Sequence, residues 1–330
     1  MWLIYALGGG WGHLTRAVAL ARIAQPERPV RILTNSPYAG IVAGSLPDLD
    51  LVVLDARAPA AETRAAAMRE IAEFRPSCLI VDTFPRGIGG ELAGMLATLS
   101  ARKVLVHRDL NPRYVAVARI RAFVAAHYDV VLVPGAGEGS QLGDLPIAFE
   151  TGPWLVRCAD EIPDLGQARE LLRLAPHEEH CVLVCASGKK DELAWYGEVV
   201  SRLRELDRSV PVRSLAAERP PQCPDECWVR YWPAIDLFGA AAVVVGGAGY
   251  NTVQESLAWD VPLVLRPWPR AYDRQELRAR RASAGGRVTL VQEPEEAARA
   301  ALEQIEDRRV WLPRFANGAV EAVARIAGGT

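Results

Sequence analysis

The chain has 330 residues, of which 50% are hydrophobic and 24% are charged, a composition that excludes an intrinsically disordered protein. Its 38 lysines and arginines nearly balance its 40 aspartates and glutamates, and the formal net charge of -2 argues against a general nucleic-acid-binding protein. The length suits two domains of about 150 residues each.

The cysteines and the amino-terminal residues indicate the compartment. No two of the six cysteines form a Cys-x-x-Cys pair, and no histidine lies beside them at zinc-ligand spacing, which suits a reduced environment. Residues 1–7 lack the positive flank of a signal peptide, and no apolar run reaches the roughly 18 residues that span a bilayer. We expect a cytoplasmic protein with no bound metal and at most peripheral membrane contact.

Short apolar, β-rich runs alternate with helical stretches along the whole chain. Runs in this order predict buried parallel strands. The predicted strands of the first half are Leu3–Leu7, Val30–Thr34, Leu51–Leu54, Leu79–Val81, Val104–Val106 and Val130–Val133, and those of the second half are Val182–Cys185, Val212–Leu215, Trp228–Tyr231, Val243–Val245, Leu263–Leu265 and Thr289–Val291. The expected fold class is α/β, with two Rossmann-like, doubly wound parallel-sheet domains that face a cleft.

A segment rich in glycine and proline separates the two series of strands. It extends from Pro134 to Pro153 and is followed by an acidic stretch at Asp160–Asp164, a pattern typical of a hinge. We therefore predict one domain at residues 1–150, a second at 151–305, and a closing segment at 306–330.

The first predicted strand leads through Gly8, Gly9, Gly10, Trp11 and Gly12 to His13, and then into a helix. A dinucleotide-binding fingerprint requires glycine where His13 stands and an acid after the second strand, which ends instead in Thr34-Asn35-Ser36, so a nicotinamide site is disfavoured. At the end of a strand His13 suits a general base that takes a proton from a hydroxyl. The spacing alone fits a histidine that caps the loop equally well.

Two aspartates follow the next pair of predicted strands. Asp82 ends one strand, and Asp109 lies in His107-Arg-Asp-Leu-Asn-Pro-Arg-Tyr114 after the other. The second segment looks like a protein-kinase catalytic loop, but Tyr114 stands where a kinase has asparagine, and the chain lacks the other kinase motifs. Either aspartate could orient His13 or act as the base. The alternative for each is an Asx turn or a helix cap.

The stretch from Tyr114 to His127 predicts an amphipathic helix, with Arg113, Arg119 and Arg121 near its polar face. Two interpretations remain open at this point. The helix could form a membrane-surface patch for a lipid-linked acceptor, or it could be an ordinary flanking helix.

In the second half, the first predicted strand is followed by Ser187, Gly188 and Lys189. A serine hydroxyl and a glycine amide at this place could donate hydrogen bonds to a phosphate, and the alternative is a plain strand-to-helix turn. A P-loop is excluded, because Lys190 stands where serine or threonine is required and no glycine precedes Gly188 by five residues.

The segment from Val243 to Glu255 is a β-branched strand that enters glycines and then the first turn of a helix. Free N–H groups and the positive end of the helix dipole favour an anion, and Gly249 lets a diphosphate approach the backbone closely. Glu255 lies further inside the helix, where a carboxylate could accept both hydroxyls of a ribose. This pattern predicts a site for a nucleoside diphosphate.

The next predicted strand is followed by a segment that contains Asp273, Gln275 and Glu276. Carboxyl and amide groups together suit a hydroxyl-rich sugar, although each could instead be a surface cap.

Together these motifs resemble those of GT-B glycosyltransferases, and the second half is similar to the N-acetylglucosaminyltransferases that form lipid II. That similarity extends over roughly 50 residues, from the strand and glycine turn through Thr-Val-x-Glu to Asp-Arg-Gln. The segments Val81–Gly87, Glu91–Leu92 and Arg108–Asp109 also resemble those of a group of predicted bacterial glycosyltransferases.

The resemblance implies a role for each motif. The first domain would be the acceptor side, with Gly9, Gly10, Trp11 and Gly12 around the acceptor, although Trp11 replaces a small residue of the usual motif. The closing segment would pack back onto that domain. The donor phosphates would bind Gly249, Tyr250, Asn251 and Thr252, the ribose Glu255, the base the backbone beside Trp232, and the sugar Gln275 and Glu276. Glutamine is usual at the place of Glu276, which leaves the identity of the sugar open.

The function expected from this resemblance is inverting transfer of a hexose or N-acetylhexosamine from a nucleoside diphosphate sugar, UDP-linked, to an acceptor hydroxyl. His13 would be the base, helped by Asp109 or Asp82, and neither a metal nor another cofactor would be required. The acceptor would be either lipid-linked or a small natural product. The alternatives are a nucleotide-sugar epimerase on the same fold and a non-catalytic nucleotide-sugar-binding protein.

Overall fold

The computed structural model describes residues 1–108, 110–135, 141–285, 287–305 and 315–328. The chain divides into two compact units. The first unit consists of Met1–Val156, Ala271–Asp273 and Ala316–Thr330, and the second unit of Arg157–Arg270 and Arg274–Phe315.

The first unit begins with alternating strands and helices. Its strands are β1 (Trp2–Ala6), β2 (Val30–Thr34), β3 (Asp50–Val53), β4 (Cys78–Asp82), β5 (Arg102–Val106), β6 (Val130–Pro134) and β7 (Ala148–Thr151). Its helices up to residue 156 are α1 (Trp11–Ala24), α2 (Ala39–Ser45), α3 (Ala60–Phe74), α4 (Leu92–Met95), α5 (Pro112–Val117) and α6 (Ile120–His127).

These strands form one parallel sheet in the order β3-β2-β1-β4-β5-β6-β7. In the centre of the sheet, Ile4 of β1 lies opposite Ile32 of β2 and Ile80 of β4. All five residues of β1 and of β4 are buried, as expected of strands that are covered by helices on both faces. The strand order reverses between β1 and β4, and at such a switch point the loops that follow the two strands diverge and leave a crevice.

The second unit repeats this plan. Its strands are β8 (Cys181–Cys185), β9 (Val212–Leu215), β10 (Trp228–Val229), β11 (Ala241–Gly247), β12 (Leu263–Arg266) and β13 (Val288–Leu290). Its helices are α7 (Leu165–Leu171), α8 (Lys190–Leu206), α9 (Tyr250–Trp259), α10 (Gln275–Ser283) and α11 (Pro294–Ile305), with 3-10 helices at Ala159–Glu161 and Ala234–Ala240.

The sheet of the second unit is parallel in the order β10-β9-β8-β11-β12-β13. Val244 of β11 lies opposite Leu183 of β8 and Leu263 of β12. The strand order reverses between β8 and β11, so this sheet also has a central switch point. The predicted fold class, with two Rossmann-like parallel sheets, is confirmed.

The predicted hinge at Pro134–Pro153 contains a strand that we did not predict. Strand β7 extends the first sheet and pairs in parallel with β6, with Val133 opposite Glu150. The Nε1–H of Trp154, a residue that is 2% exposed, donates to the Thr151 hydroxyl at 2.9 Å. The chain therefore stays in the first unit through Val156, and the division falls between Val156 and Arg157.

The last helix, α12 (Gly318–Ala327), belongs to the first unit and packs on α1. The Asn317 side chain caps the helix and forms two hydrogen bonds with the backbone of Leu155, at 3.2 and 2.7 Å. A Cβ atom on Gly318 would overlap the backbone of Gly152. The close backbone approach therefore requires glycine at position 318.

The predicted amphipathic helix at Tyr114–His127 is two shorter helices, α5 and α6. Arg119 between them has a φ of 48°, and this left-handed conformation ends one helix before the next begins. Arg121 forms an exposed ion pair with Asp144 at 2.5 Å. The single helical face that we predicted is therefore interrupted.

Candidate active site

Residues predicted to be functional follow the strands at both switch points. In the first unit, His13 follows β1 and Asp82 ends β4. In the second unit, Ser187 and Gly188 follow β8, and Gly249 follows β11. Ligands of open parallel sheets bind beyond the carboxyl ends of the strands at such points.

The glycine loop of the first unit holds the ring of His13 against the backbone. A Cβ atom on Gly8 would overlap Cδ2 and Nε2 of His13, so only glycine leaves room for this ring position. The Oδ1 of Asn35, which follows β2, accepts hydrogen bonds from the N–H groups of Gly8 and Gly9 at 2.9 and 3.0 Å. The loop is thus fixed from the neighbouring strand.

Asp82 pairs with His13 and Arg16. The Nδ1 of His13 lies 2.5 Å from Oδ2 of Asp82, and the Arg16 guanidinium donates to both carboxylate oxygens of Asp82, at 3.0 and 2.7 Å. His13 and Arg16 stand one helical turn apart on α1, so one face of the helix carries both. An ionised Asp82 fixes the proton of His13 on Nδ1 and leaves Nε2 as a proton acceptor.

The environment keeps Asp82 ionised. Its complete burial would raise the pKa of the carboxyl group, but the charge of Arg16, the electrostatic attraction of His13 and the hydrogen bonds from both outweigh burial and hold the pKa well below its usual value. Thr83 beside it has a φ of 70°, an uncommon conformation for a β-branched residue, and its hydroxyl contacts both Asp82 and Arg16 at 3.2 Å. Backbone strain of this kind clusters at functional sites.

The other predicted residues of the acceptor side lie in the same loop. Gly9 is exposed with a φ of +70°, Gly10 is the N-cap of α1, and Trp11 and Gly12 begin the helix. The indole of Trp11 stacks on the ring of Tyr38, with centroids 4.3 Å apart and planes at 3°. Asp109, the other acid predicted to assist His13, lies outside the described residues.

The predicted phosphate site of the second unit is the start of α9. Gly249 is its N-cap, no side chain caps the helix, and its first turn contains no acidic residue. A Cβ atom on Gly249 would meet no other atom within 4 Å, so the space in front of the helix is open. The N–H groups of Tyr250, Asn251 and Thr252 belong to the first turn, where no helical carbonyl can accept from them. This terminus offers several donors to an anion.

Close packing behind this turn fixes its backbone. A Cβ atom on Gly246 would lie 2.8 Å from Cγ2 of Thr252, and one on Gly247 would lie 2.9 Å from the hydroxyl of Tyr196. The guanidinium of Arg278, a residue that is 5% exposed, donates to the carbonyl of Ala248 at 2.9 Å. Glycines and a buried arginine thus determine where the N-terminus of α9 lies.

Glu255 is a buried acid in α9. Its residue is 4% exposed, and burial together with the nearby charge of Asp236 raises the pKa of its carboxyl group to about 8. Asp236 is ionised and held by a bidentate ion pair with Arg157, with both contacts at 2.9 Å, and it accepts from the Tyr231 hydroxyl. Glu255 is therefore poised to ionise when a ligand offers it hydrogen-bond donors.

The turn after β8 is exposed. Ser187 and Gly188 both face solvent, and Gly188 has a φ of +119°. The first turn of α8 contains Asp191 and Glu192, and Glu192 is buried in a bidentate ion pair with Arg270 at 2.7 and 2.6 Å. Acidic residues at this terminus oppose an anion, so α9 suits a diphosphate better than α8 does.

The residues predicted to contact the sugar differ in their burial and in their partners. Gln275 is buried, and its Oε1 accepts from the N–H of Trp268 at 3.0 Å, which fixes the loop after β12. Glu276 is 69% exposed and pairs with Arg280 one helical turn away. Asp273 belongs to the first unit, where it forms an antiparallel bridge with Leu110 and lies 3.5 Å from the Arg108 guanidinium.

The ring of Trp232 is not an exposed platform for a base. The residue is 7% exposed and therefore mostly fills the core. The contact with the base that the sequence resemblance implies would come from the backbone beside it. Arg16, Asn35 and Thr83, in contrast, were not among the predicted site residues. Arg16 stands three residues after His13 on the predicted helix, and this spacing was the available signal.

Within the described parts of the chain, no three or more His, Cys, Asp or Glu side chains gather as they would to hold a metal ion. None of the described helices is both long and apolar enough to traverse a bilayer.

No known protein-family model matches the chain. Solved structures do. The glycosyltransferase VinC in complex with dTDP matches with a TM-score of 0.59 and 16% identity, over 99% of this chain and 98% of that one. MurG of Acinetobacter baumannii matches with a TM-score of 0.56 and 14% identity, over 99% of both chains.

A putative UDP-N-acetylglucosamine 2-epimerase from Listeria monocytogenes is also similar, with a TM-score of 0.64 and 14% identity over 100% of this chain and 97% of that one. At such low identity these likenesses establish the fold alone. The chain has the GT-B fold, with two Rossmann-like sheets, and the predicted resemblance is confirmed at that level.

Proposed function

We propose that this protein is a glycosyltransferase that moves a sugar from a nucleoside diphosphate sugar to an acceptor hydroxyl with inversion of the anomeric carbon. The observation that carries the proposal is the contact of 2.5 Å between Nδ1 of His13 and Asp82, whose charge Arg16 stabilises. A histidine oriented in this way by a buried carboxylate suits the role of a general base. The glycosyltransferase fold supports the same conclusion.

In this proposal, Nε2 of His13 takes the proton of the acceptor hydroxyl as its oxygen attacks the anomeric carbon. The bond from that carbon to the diphosphate oxygen breaks in the same step, and attack from the opposite face inverts the configuration. Asp82 remains ionised and stabilises the imidazolium that forms. General base catalysis of this kind contributes about 10²- to 10⁴-fold to the rate.

The second unit would hold the donor. The open N-terminus of α9, from Gly249 to Thr252, would bind the diphosphate and stabilise its charge as it leaves. Glu255 would accept the ribose hydroxyls. Because fixed N–H dipoles supply the stabilisation, the proposal requires neither a divalent metal nor another cofactor. We propose UDP as the nucleotide and a hexose or N-acetylhexosamine as the sugar.

We propose a cytoplasmic location for this transferase. The acceptor would be a lipid-linked molecule or a small natural product, and membrane contact would be peripheral at most. No nucleic acid takes part.

A thermal-shift screen with UDP, dTDP, GDP and their sugars tests the donor. A ligand present at 100 times its Kd stabilises the folded protein by about 2.7 kcal/mol, which raises the melting temperature measurably. We expect UDP and UDP-sugars to raise it most. A shift with GDP or dTDP but not with UDP would overturn the choice of uracil as the nucleotide base. The absence of any shift would overturn the proposal.

An epimerase is a second candidate, supported by the likeness to the putative epimerase from Listeria. Incubation with UDP-N-acetylglucosamine alone separates the two, because an epimerase needs no acceptor. Proton NMR would show a new anomeric signal of an intact nucleotide sugar if the epimerase is correct. A transferase leaves the configuration of the unreacted donor unchanged.

A protein that only binds nucleotide sugars is the remaining alternative. It would bind a nucleoside diphosphate tightly without turnover, and His13→Ala would change nothing that can be measured. A loss of transfer in His13→Ala, with UDP binding unchanged, would exclude it.

A further inference from the structure

We propose that the acceptor is a flat, uncharged aromatic alcohol that lies along a row of aromatic side chains in the first unit. This inference rests on the proposed function, because it takes His13 as the base that activates the acceptor hydroxyl. The aromatic row consists of Tyr38, Trp11, Phe84, Tyr114 and Tyr272.

Members of the aromatic row follow successive strands of the first sheet. Tyr38 comes after β2, Trp11 after β1, Phe84 after β4 and Tyr114 after β5. These four strands are neighbours in the sheet, in the order β2-β1-β4-β5. Because adjacent strands lie about 4.8 Å apart, the four strands that lead to the row span roughly 14 Å. That length is comparable to a system of three fused or linked rings.

Ring contacts join Phe84, Tyr272 and Tyr114 of the row to the proposed base. The ring of Phe84 lies 5.6 Å from the imidazole of His13, at an angle of 25°. Tyr272 places its ring edge-on to Phe84 at 5.6 Å and to Tyr114 at 5.1 Å. The stacked pair of Trp11 and Tyr38 lies in the glycine loop and beyond β2. Strand β1 leads to His13, and its neighbours in the sheet are β2 and β4. The row therefore includes a ring that follows each neighbour, Tyr38 after β2 and Phe84 after β4.

These rings retain apolar surface that the protein does not cover. Trp11, Tyr38, Phe84 and Tyr114 are half-buried, and Tyr272 is 47% exposed. Aromatic rings prefer offset-stacked or edge-to-face partners, and exposed apolar surface beside a polar centre is typical of a ligand site. A planar aromatic molecule would cover this surface and present a hydroxyl to His13.

The charges around His13 disfavour an anionic acceptor. Arg16 is 3% exposed and bound to Asp82, and Arg108 is 8% exposed beside Asp273. The guanidinium of Arg86 lies over the ring of Phe123, 4.6 Å from its centroid. Carboxylates engage Arg16 and Arg108, so the charges of these two buried arginines are already balanced. A lipid diphosphate would have to compete with those carboxylates, whereas an uncharged aromatic alcohol does not.

Flavone and 7-hydroxyflavone form a matched pair of probes, because they differ only in the hydroxyl that would be glycosylated. We expect both to bind in isothermal titration calorimetry, and only 7-hydroxyflavone to accept sugar. Flavone should inhibit its transfer competitively. In His13→Gln, flavone should bind as in the wild type while transfer is lost, which separates recognition of the rings from catalysis.

Substitutions in the row test the surface itself. Phe84→Leu and Tyr38→Leu should each weaken flavone binding about three- to tenfold, since ring pairs are lost in both. Phe74→Leu is the matched control, because Phe74 lies on α3 outside the row and is also half-buried. Melting temperatures, and the shift caused by UDP, identify any variant that has lost its fold.

Equal affinities in the row variants and the control would overturn the inference, as would binding of farnesyl diphosphate by a protein that does not bind flavone. A different result would overturn the proposed function. If no nucleoside diphosphate shifts the melting temperature, the donor site is wrong, whatever flavone does.

Discussion

The imidazole of His13 occupies the space in which a side chain on Gly8 would stand. A single methyl group at position 8 would therefore meet Nε2, the atom that we propose accepts the proton. The backbone at Gly8 thus determines the position of the base without taking part in the chemistry.

We expect Gly8→Ala to displace the His13 ring and to reduce sugar transfer about 10²-fold or more, because a misplaced base loses most of its contribution. Gly44→Ala is the control, since Gly44 lies in α2, away from the glycine loop, and a Cβ atom on it would meet no other atom within 4 Å. Steady-state rates of both variants, with unfolding curves, measure the effect. Equal rates in the two variants would contradict the proposed position of the base.

Asp82→Asn should lower both transfer and stability. The substitution leaves the buried guanidinium of Arg16 without its carboxylate, a change that costs about 3–5 kcal/mol in the free energy of unfolding. Urea denaturation at pH 7 measures that loss. If Asp82 were only a surface cap, the loss would stay below about 1 kcal/mol.

The low pKa of Asp82 also predicts a pH dependence. Its pKa in the folded protein lies below the usual value of 3.8, so the unfolded chain binds this proton at higher pH than the folded protein does. The ion pair therefore stabilises the fold above about pH 4, and this stability is lost as the pH falls through the folded pKa. We expect the difference in stability between wild type and Asp82→Asn to narrow below pH 4.

Gly249→Asp tests the donor site. Space in front of Gly249 is open and its φ of -68° suits any residue, so an aspartate there should cap α9 without loss of stability. Its charge would repel a diphosphate. Two like unit charges about 5 Å apart repel each other by roughly 3 kcal/mol at an effective dielectric constant of 20.

We expect Gly249→Asp to weaken UDP binding about a hundredfold in calorimetry. Gly249→Asn is the matched control, because asparagine caps a helix equally well and carries no charge. If both variants bound UDP as the wild type does, the diphosphate would not lie at this helix terminus.

The raised pKa of Glu255 predicts that the stability of the fold falls as the pH rises. The pKa of its carboxyl group is about 8 in the folded protein, above its usual value of 4.5, so between these values the folded protein holds a proton that the unfolded chain has released. The stabilisation that comes from this proton is fully present below pH 4.5. It declines toward pH 8, where the free energy of unfolding is lower by on the order of 4 kcal/mol. Urea unfolding from pH 5 to 8.5 measures this slope.

Glu255→Gln should flatten that slope, whereas Glu276→Gln should not, because Glu276 is 69% exposed. Parallel slopes in wild type and Glu255→Gln would show that Glu255 titrates normally. A ribose that donates hydrogen bonds to the carboxylate should lower its pKa, so UDP binding at pH 7 should release a proton. Calorimetry in two buffers of different ionisation enthalpy detects that release.

The strands with continuous apolar runs were predictable from the sequence, because a strand buried on both faces leaves no polar position. Strand β7 was missed for the converse reason. Its residues, Ala-Phe-Glu-Thr, are mostly half-buried or exposed at the edge of the sheet, and the four of them stand among glycines and prolines. Likewise, no periodicity predicts the left-handed Arg119 that separates α5 from α6.

The residues of the candidate site were predictable where they lie in one continuous stretch of sequence. A strand, a glycine turn and a helix are adjacent in sequence, so the positions of His13 and Gly249 followed from their own segments. The partner of His13 did not follow, because Asp82 and Asp109 both come after strands. Only the strand order shows that β4, with Asp82, is the neighbour of β1, whereas β5 lies one strand further away.

The last helix of the chain belongs to the unit with which the chain begins. On a ribosome, the first unit can therefore be completed only after the second unit has been made, because α1 waits for α12. The second unit can finish in the interval. A fragment that ends at Val156 would lack the cap that Asn317 and Gly318 place against residues 152–155, and we expect such a fragment to aggregate.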